Sequence, residues 1–234
     1  MALPKINVAT YELNLPSSNE IVKFRPFLVK EEKILLMAME GGETKDMMNA
    51  IKQIIGNCVS SPKLNIEELP LFDLEYVFVK LRAKSIGEKT KLGLKCEECD
   101  ATTEVEVNLD EVEIVKGENH DPKIQLTDDV GVVLKYPRID MMEGIGDLSN
   151  IEEGFAVLRK SIEMIFSGDE VYEAKDHSEK ELDDFLNSLT RDQFQKIQDF
   201  FDGLPKLKKD VKWNWSGCQK EREVTLEGMN AFFG

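Results

Sequence analysis

The chain has 234 residues, 41% of them apolar and 32% charged, a balance that suits a folded domain or two with a real core and excludes a disordered chain. Its net charge is −15, with 45 acidic against 30 basic residues, so phosphate backbones and anionic lipid repel it. The densest basic run, "KLKKDVK" at 206–212, is short and interrupted, and reads as a solvated strand entry. No segment has the length of a membrane span, and "MALPKINVAT" lacks the basic start and apolar run of a secretory signal. Four cysteines in a chain of this size predict a reducing, cytosolic setting, not a disulfide framework.

In chain order, "TYELNLPSSNEIVKFRPF" predicts a hairpin. Tyr11, Leu13 and Leu15 alternate with polar residues, "PSSNE" turns, Ile21 to Phe24 return, and Pro26 stops the strand. "VKEEKILLMAME" predicts a helix with an apolar run from Ile34 to Met39, ended by Gly41 and Gly42. "TKDMMNAIKQIIGNCV" predicts a second, with Thr44 as N-cap and Met47, Ile51, Ile54 and Cys58 on one face, which makes Cys58 a core thiol. After a loop bounded by prolines, "FDLEYVFVKLRAKSIG" places Leu74, Val77, Phe78 and Leu81 on one stripe. Strands at 89–95 and 103–107 then flank "CEEC".

From there the order of elements starts again. "PKIQLTDDVGVVLKYPRI" has the layout of the first hairpin, with an aromatic residue and a proline at its exit, and Tyr136 lies 112 positions after Phe24. "NIEEGFAVLRKSIEMIF" predicts one helix carrying Phe155, Leu158, Ile162 and Ile165 on a face. "SEKELDDFLNSL" opens on a capping box of Ser178 and Glu181, with Leu182, Phe185, Leu186 and Leu189 as its stripe. "TRDQFQKIQDFFDG" opens on a second, Thr190 and Gln193, and turns Phe194, Ile197 and Phe201 inward. A hairpin around Cys218 follows, 119 positions after Cys99. The expected fold is α+β and built as a tandem duplication, residues 1–116 and 121–234. Each half holds a β-hairpin, two or three helices and a zinc-ribbon-like knuckled hairpin.

Structural zinc takes four ligands in a tetrahedron, usually from two CxxC knuckles. Cys96 and Cys99 form one knuckle, but the second offers only Cys218, because Trp215 stands where Cys96 stands in the first. A fourth ligand would come from Cys58, His120, His177 or a carboxylate. The competing reading is a degenerate ribbon without metal, in which Trp215 fills the space by packing. That reading is the expectation here, with no cofactor. Glu97 and Glu98 between the cysteines disfavour a thiolate and so a redox motif.

Catalysis finds no anchor: there is neither a phosphate-cradling GxxxxGK[ST] loop nor a GxSxG elbow. Asp176, His177 and Ser178 are adjacent in sequence, a poor geometry for a triad, and Ser178 already serves as a helix cap. The chain is expected not to be an enzyme. Contact surfaces fit better. Six of nine methionines (Met37, Met39, Met47, Met48, Met141 and Met142) cluster near helices, either as core or as adaptable contact residues. Phe232 and Phe233 either fold back over the last hairpin or dock on a partner.

"KFRPFLVKEEKILLMAME", "LPLFDLEYVFVKLRAKSIGE", "KCEEC" followed by "EVEVNLDEVE", and "VTLEGMNAFF" together resemble the T4-type bacteriophage baseplate hub assembly protein family, most strongly at 20–115 and 213–233. The resemblance implies a non-enzymatic role in building the tail baseplate hub, as an assembly factor or a minor hub subunit. The implied partners are other baseplate hub proteins, with neither nucleic acid nor membrane. It implies a place in the host cytoplasm during assembly or in the virion baseplate. Relatives of this kind also carry a CxxC in the second ribbon, from which Trp215 departs. The alternative from another class is a zinc-ribbon binding module in viral replication or transcription, which the charge disfavours.

Overall fold

The computed structural model describes residues 6–42, 44–61, 64–95, 102–117, 120–142, 150–214 and 221–232, without the side chains of Thr44, Arg222 and Asn230. The cap expected at Thr44, with Cys96, Cys99, Trp215, Cys218 and Phe233, therefore lies outside the described residues. The fold is mixed α and β. Its elements begin with β1 (Tyr11–Asn14), β2 (Ile21–Phe24), α1 (Val29–Gly41), α2 (Thr44–Cys58), α3 (Leu71–Ser85), β3 (Lys89–Lys95), β4 (Thr102–Asn108) and β5 (Glu113–Val115). They continue with β6 (Lys123–Gln125), β7 (Val130–Leu134), α4 (Ile151–Ser161), β8 (Ile162–Ser167) and β9 (Glu170–Glu173). The last are α5 (Glu179–Asn187), α6 (Arg191–Asp202), β10 (Lys206–Asn214) and β11 (Glu221–Glu227). No helix among the described residues is long and apolar enough to cross a membrane.

The chain forms two compact units, one of Met1–Val115 with Lys206–Gly234 and one of Lys116–Pro205. These units divide the chain otherwise than the expected halves 1–116 and 121–234, because β10 pairs on one side with β11 and on the other with β5, Leu207 opposite Ile114. The final hairpin thereby completes a three-stranded sheet with β5.

In the first unit α3 is the central element. Leu74, Val77, Phe78 and Leu81 are fully buried, as their spacing predicts, but Phe72, Val79 and Ala83 on the other faces are buried too. Fully burying a side chain of this kind contributes about 1.5–3 kcal/mol. A helix covered on so many sides must pair most of its polar groups, and α3 pairs Asp73, Lys80, Lys84 and Ser85 with turns of the same unit. The buried Asp73 accepts from the backbone N–H of Ser17 at 3.1 Å and from its hydroxyl, which fixes the β1–β2 turn. Lys80 donates to the carbonyls of Asp110 (2.5 Å), Val112 (3.0 Å) and Leu109 (3.3 Å). Lys84 pairs with Asp110 and Glu88, and Ser85 Oγ accepts from Phe27 N–H at 2.8 Å.

A second tie anchors α1. Glu31, fully buried, takes a two-pronged contact from the Arg25 guanidinium, at 3.0 and 3.3 Å. It also accepts from Leu28 N–H at 2.8 Å, which closes the first turn of the helix. Arg25 further donates to Asn57 O at the C-terminal end of α2, where orphan carbonyls favour a cation. Burial alone would raise the Glu31 carboxyl, and its hydrogen bonds from Arg25 and Leu28 more than offset this and hold it below the usual range. At the far end, Gly42 stops α1 in the left-handed region at φ 72.

The second unit is one antiparallel sheet in the order β6–β7–β8–β9, packed with α4, α5 and α6. Its core joins Leu126, Val132, Leu134, Leu158, Ile162, Leu186, Ile197 and Phe200. Both expected capping boxes are present, at Ser178–Glu181 and Thr190–Gln193. Arg159 links α4 to α5 through Asp183 at 2.7 Å and Glu179 at 2.9 Å. Gly131 has no room for a side chain, since a Cβ there would lie 2.1 Å from the Phe166 ring.

One expectation is corrected. The single helix predicted over 150–166 ends at Ser161, and Ile162 to Ser167 form β8. Apolar residues at 155, 158, 162 and 165 satisfy a helical period, but "IEMIF" is rich in β-branched and aromatic residues. Its pairing with β7, Val132 opposite Ile165, decides the state.

Two outcomes are expected. Glu31→Gln leaves a half-buried guanidinium without its counter-charge and costs about 1–3 kcal/mol in urea unfolding, whereas Arg25→Met combined with Glu31→Leu recovers most of that loss. Glu75, on α3, is pushed by burial up to about 7 from an ordinary value near 4.5. The unfolded chain therefore releases this proton at lower pH than the folded one, and stability falls as pH rises from about 4.5 to 7. Glu75→Gln removes that component, so its stability gain over the parent grows across this window, to at most about 3 kcal/mol.

Candidate interaction surface

The two cysteine hairpins have matching stems. In the first, Lys95 faces Thr102, so residues 96–101 connect the strands. In the second, Asn214 faces Glu221, so residues 215–220 do. Cys96 and Trp215 are each the first residue after the stem, and Cys99 and Cys218 each the fourth. These registers put the cysteines in equivalent chain positions, while the connections themselves lie outside the described residues.

The proposed fourth ligands are described. Cys58 is buried at the end of α2, and burial pushes its thiol up to about 11, which disfavours the thiolate a metal needs. His120 stacks at 5.2 Å on both Tyr136 and Phe200, and its Nε2 lies 2.7 Å from the Tyr136 hydroxyl. Desolvation, with Lys116 nearby, lowers its pKa. His177 sits just before α5, with Nδ1 3.8 Å from Glu181 and its ring 6.0 Å from Tyr172. Among the described residues no three His, Cys, Asp or Glu side chains gather in a metal-holding group. Ser178 is engaged as a cap, donating to Glu181 Oε2 at 2.7 Å and accepting from Glu181 N–H.

The methionines divide. Met141 is buried, Met47, Met48 and Met142 are half-buried, and Met37 and Met39 are exposed. On α1 the buried side carries Glu31, Leu35 and Ala38. The opposite side presents Met37 (72% exposed) and Val29 (68%), with Leu36 and Met39 beside them. These large apolar side chains on neighbouring helical positions leave an exposed apolar surface on α1, with two flexible thioethers among them. Sequence reasoning noted the run from Ile34 to Met39 but not its exposure. The available signal was its width: six consecutive apolar residues exceed what one helix face can bury. Phe232 is fully buried beyond β11, after Gly228 turns the chain at φ 74 and donates to Leu207 O, so this residue folds back onto its own unit.

Comparison with known proteins adds the following. The sequence pattern of a family described as T4 bacteriophage base plate protein matches residues 8–234. The baseplate hub assembly protein gp26 of Enterobacteria phage T4 is 25% identical over 224 residues, covering 95% of this chain and 97% of that protein. No solved structure matches.

Proposed function

The chain belongs to the T4 bacteriophage base plate protein family, as residues 20–115 and 213–233 led us to expect, and on that premise we propose that it builds the baseplate hub. It does so as a non-enzymatic protein, an assembly factor or minor hub subunit acting in the host cytoplasm through contacts with other hub proteins. The match along 8–234, and the near full-length likeness to a protein named for hub assembly, carry this reading. The exposed apolar side of α1 supports it by offering a surface for such contacts. The charge of −15 works against the alternative of a replication or transcription module.

Native mass spectrometry of the protein mixed with baseplate hub subunits is expected to show a complex. Leu36→Lys with Met37→Lys should abolish that complex while changing stability by less than about 0.5 kcal/mol per site, since both residues are exposed. No complex for the parent protein under assembly conditions would sink the reading. Recovery in stoichiometric amount from purified virions would make it a resident subunit, and absence from them a transient factor.

The two repeats, in this reading, are a duplication whose second ribbon has lost a ligand, and the chain works without zinc. The matching stems support the duplication, and Trp215 at the chain position equivalent to Cys96 supports the lost ligand. Elemental analysis should give well under one zinc per chain, and a chelator should leave Tm unchanged. Zinc-dependent unfolding of both Cys96→Ser and Cys218→Ser would overturn it.

A further inference from the structure

The sheet of the second unit has two edges, and they are treated differently. On β6 two of the outward-facing backbone groups are occupied. Lys123 N–H donates to Asp121 Oδ1 at 2.9 Å, and Gln125 C=O accepts from Lys196 Nζ at 2.8 Å. This is how a sheet edge is closed to other strands.

On β9 the corresponding groups are open. The β8–β9 hairpin turns through two residues, Gly168 at φ 58 and Asp169, with Ser167 facing Glu170. A two-residue turn makes Ser167–Glu170 a hydrogen-bonded pair, and alternation makes Ile165–Tyr172 the next. The N–H and C=O of Val171 and the N–H of Glu173 therefore point away from β8, while Glu173 C=O opens the short 3-10 turn over Ala174–Asp176. Among the described residues no strand lies beyond β9. All four of its residues are exposed, including Val171 at 59% and Tyr172 at 39%.

The surroundings select what can pair there. The second unit holds 21 Asp and Glu against 10 Lys and Arg, and residues 163–184, which include β9, hold nine against two. Some of this charge is compensated: Glu173 pairs with Lys175, while Arg159 takes Glu179 and Asp183. The rest repels a second copy of the same edge and attracts a strand of opposite sign. We propose that β9 is a docking strand, which takes an extended, basic segment of a partner protein along its open edge by strand addition. The open backbone supplies the hydrogen bonds, Val171 and Tyr172 supply apolar contact, and the carboxylates supply the choice of partner. This goes beyond the hub role above, and rests on it only for the setting in which such a partner would be met.

The test uses the full-length protein and two fluorescein-labelled decapeptides of equal charge, so it needs no hub subunit and its failure leaves the hub reading intact. One peptide alternates lysine and valine, and the other carries proline at every valine position. Anisotropy titration is expected to show the alternating peptide binding at least tenfold more tightly than the proline peptide. Val171→Pro should erase that ratio, and Glu170→Gln with Glu173→Gln should weaken both peptides and flatten their salt dependence. In the unaltered protein, hydrogen exchange at the Val171 amide should slow severalfold when the alternating peptide is bound, a readout that does not depend on any variant folding. Equal binding of the two peptides, or Val171 exchange unchanged at saturation, would overturn the proposal and leave only a diffuse attraction between opposite charges.

Discussion

Helix α3 is covered on nearly every side, and a helix so placed needs partners for most of the polar side chains it carries. Asp73, Lys80, Lys84 and Ser85 meet this requirement by reaching the β1–β2 turn, the 109–112 turn and the start of the segment leading into α1. Each such contact is long-range in sequence, so one helix fixes the placement of loops that share no hydrogen-bond ladder with it. An unmet buried group costs more than a formed one contributes, and this makes the arrangement specific as well as stable.

The same logic explains what α1 leaves free. Its inner side is fixed by Glu31, held between Arg25 and the Leu28 N–H, and by the packing of Leu35 and Ala38. With the inner side fixed by a charge pair and two small or medium apolar residues, the outer side has no structural duty. It nonetheless carries Val29, Leu36, Met37 and Met39. The two units differ in what they expose: the first an apolar side of a helix, the second a sheet edge among acidic residues.

Local signals were legible in the sequence. The capping boxes at Ser178 and Thr190, the α3 stripe and the strands flanking the cysteines all depend on residues a few positions apart, and they fold as their patterns predict. Three features were hidden because distant partners decide them. Ile162 and Ile165 fit a helix as well as a strand until β7 is present to pair with them. The run from Ile34 to Met39 says that apolar surface exists, not which part of it is covered. Arg25 and Glu31 belong to the phrase "FRPFLVKEEK" that carried the family resemblance, but only their burial shows why both residue types are needed together. As for the contact surfaces, composition pointed to binding without placing it, since exposure is a property of the packed chain.

Residues 116–205 enter and leave the first unit through neighbouring strands, for Val115 and Lys206 are directly paired. Just inside this junction the two passing segments touch at glycines: Gly117 N–H donates to Gly203 O, and a Cβ on Gly117 would lie 2.7 Å from Gly203 Cα. The second unit is thus inserted in sequence between two strands of the first. During synthesis, β5 must wait for its neighbour β10 until the whole intervening unit has been made, whereas that unit is continuous in the chain and has its own core. The middle of the polypeptide can therefore finish folding before its beginning does, and its completion, by bringing Gly117 and Gly203 together, delivers the two edges that the earlier part requires.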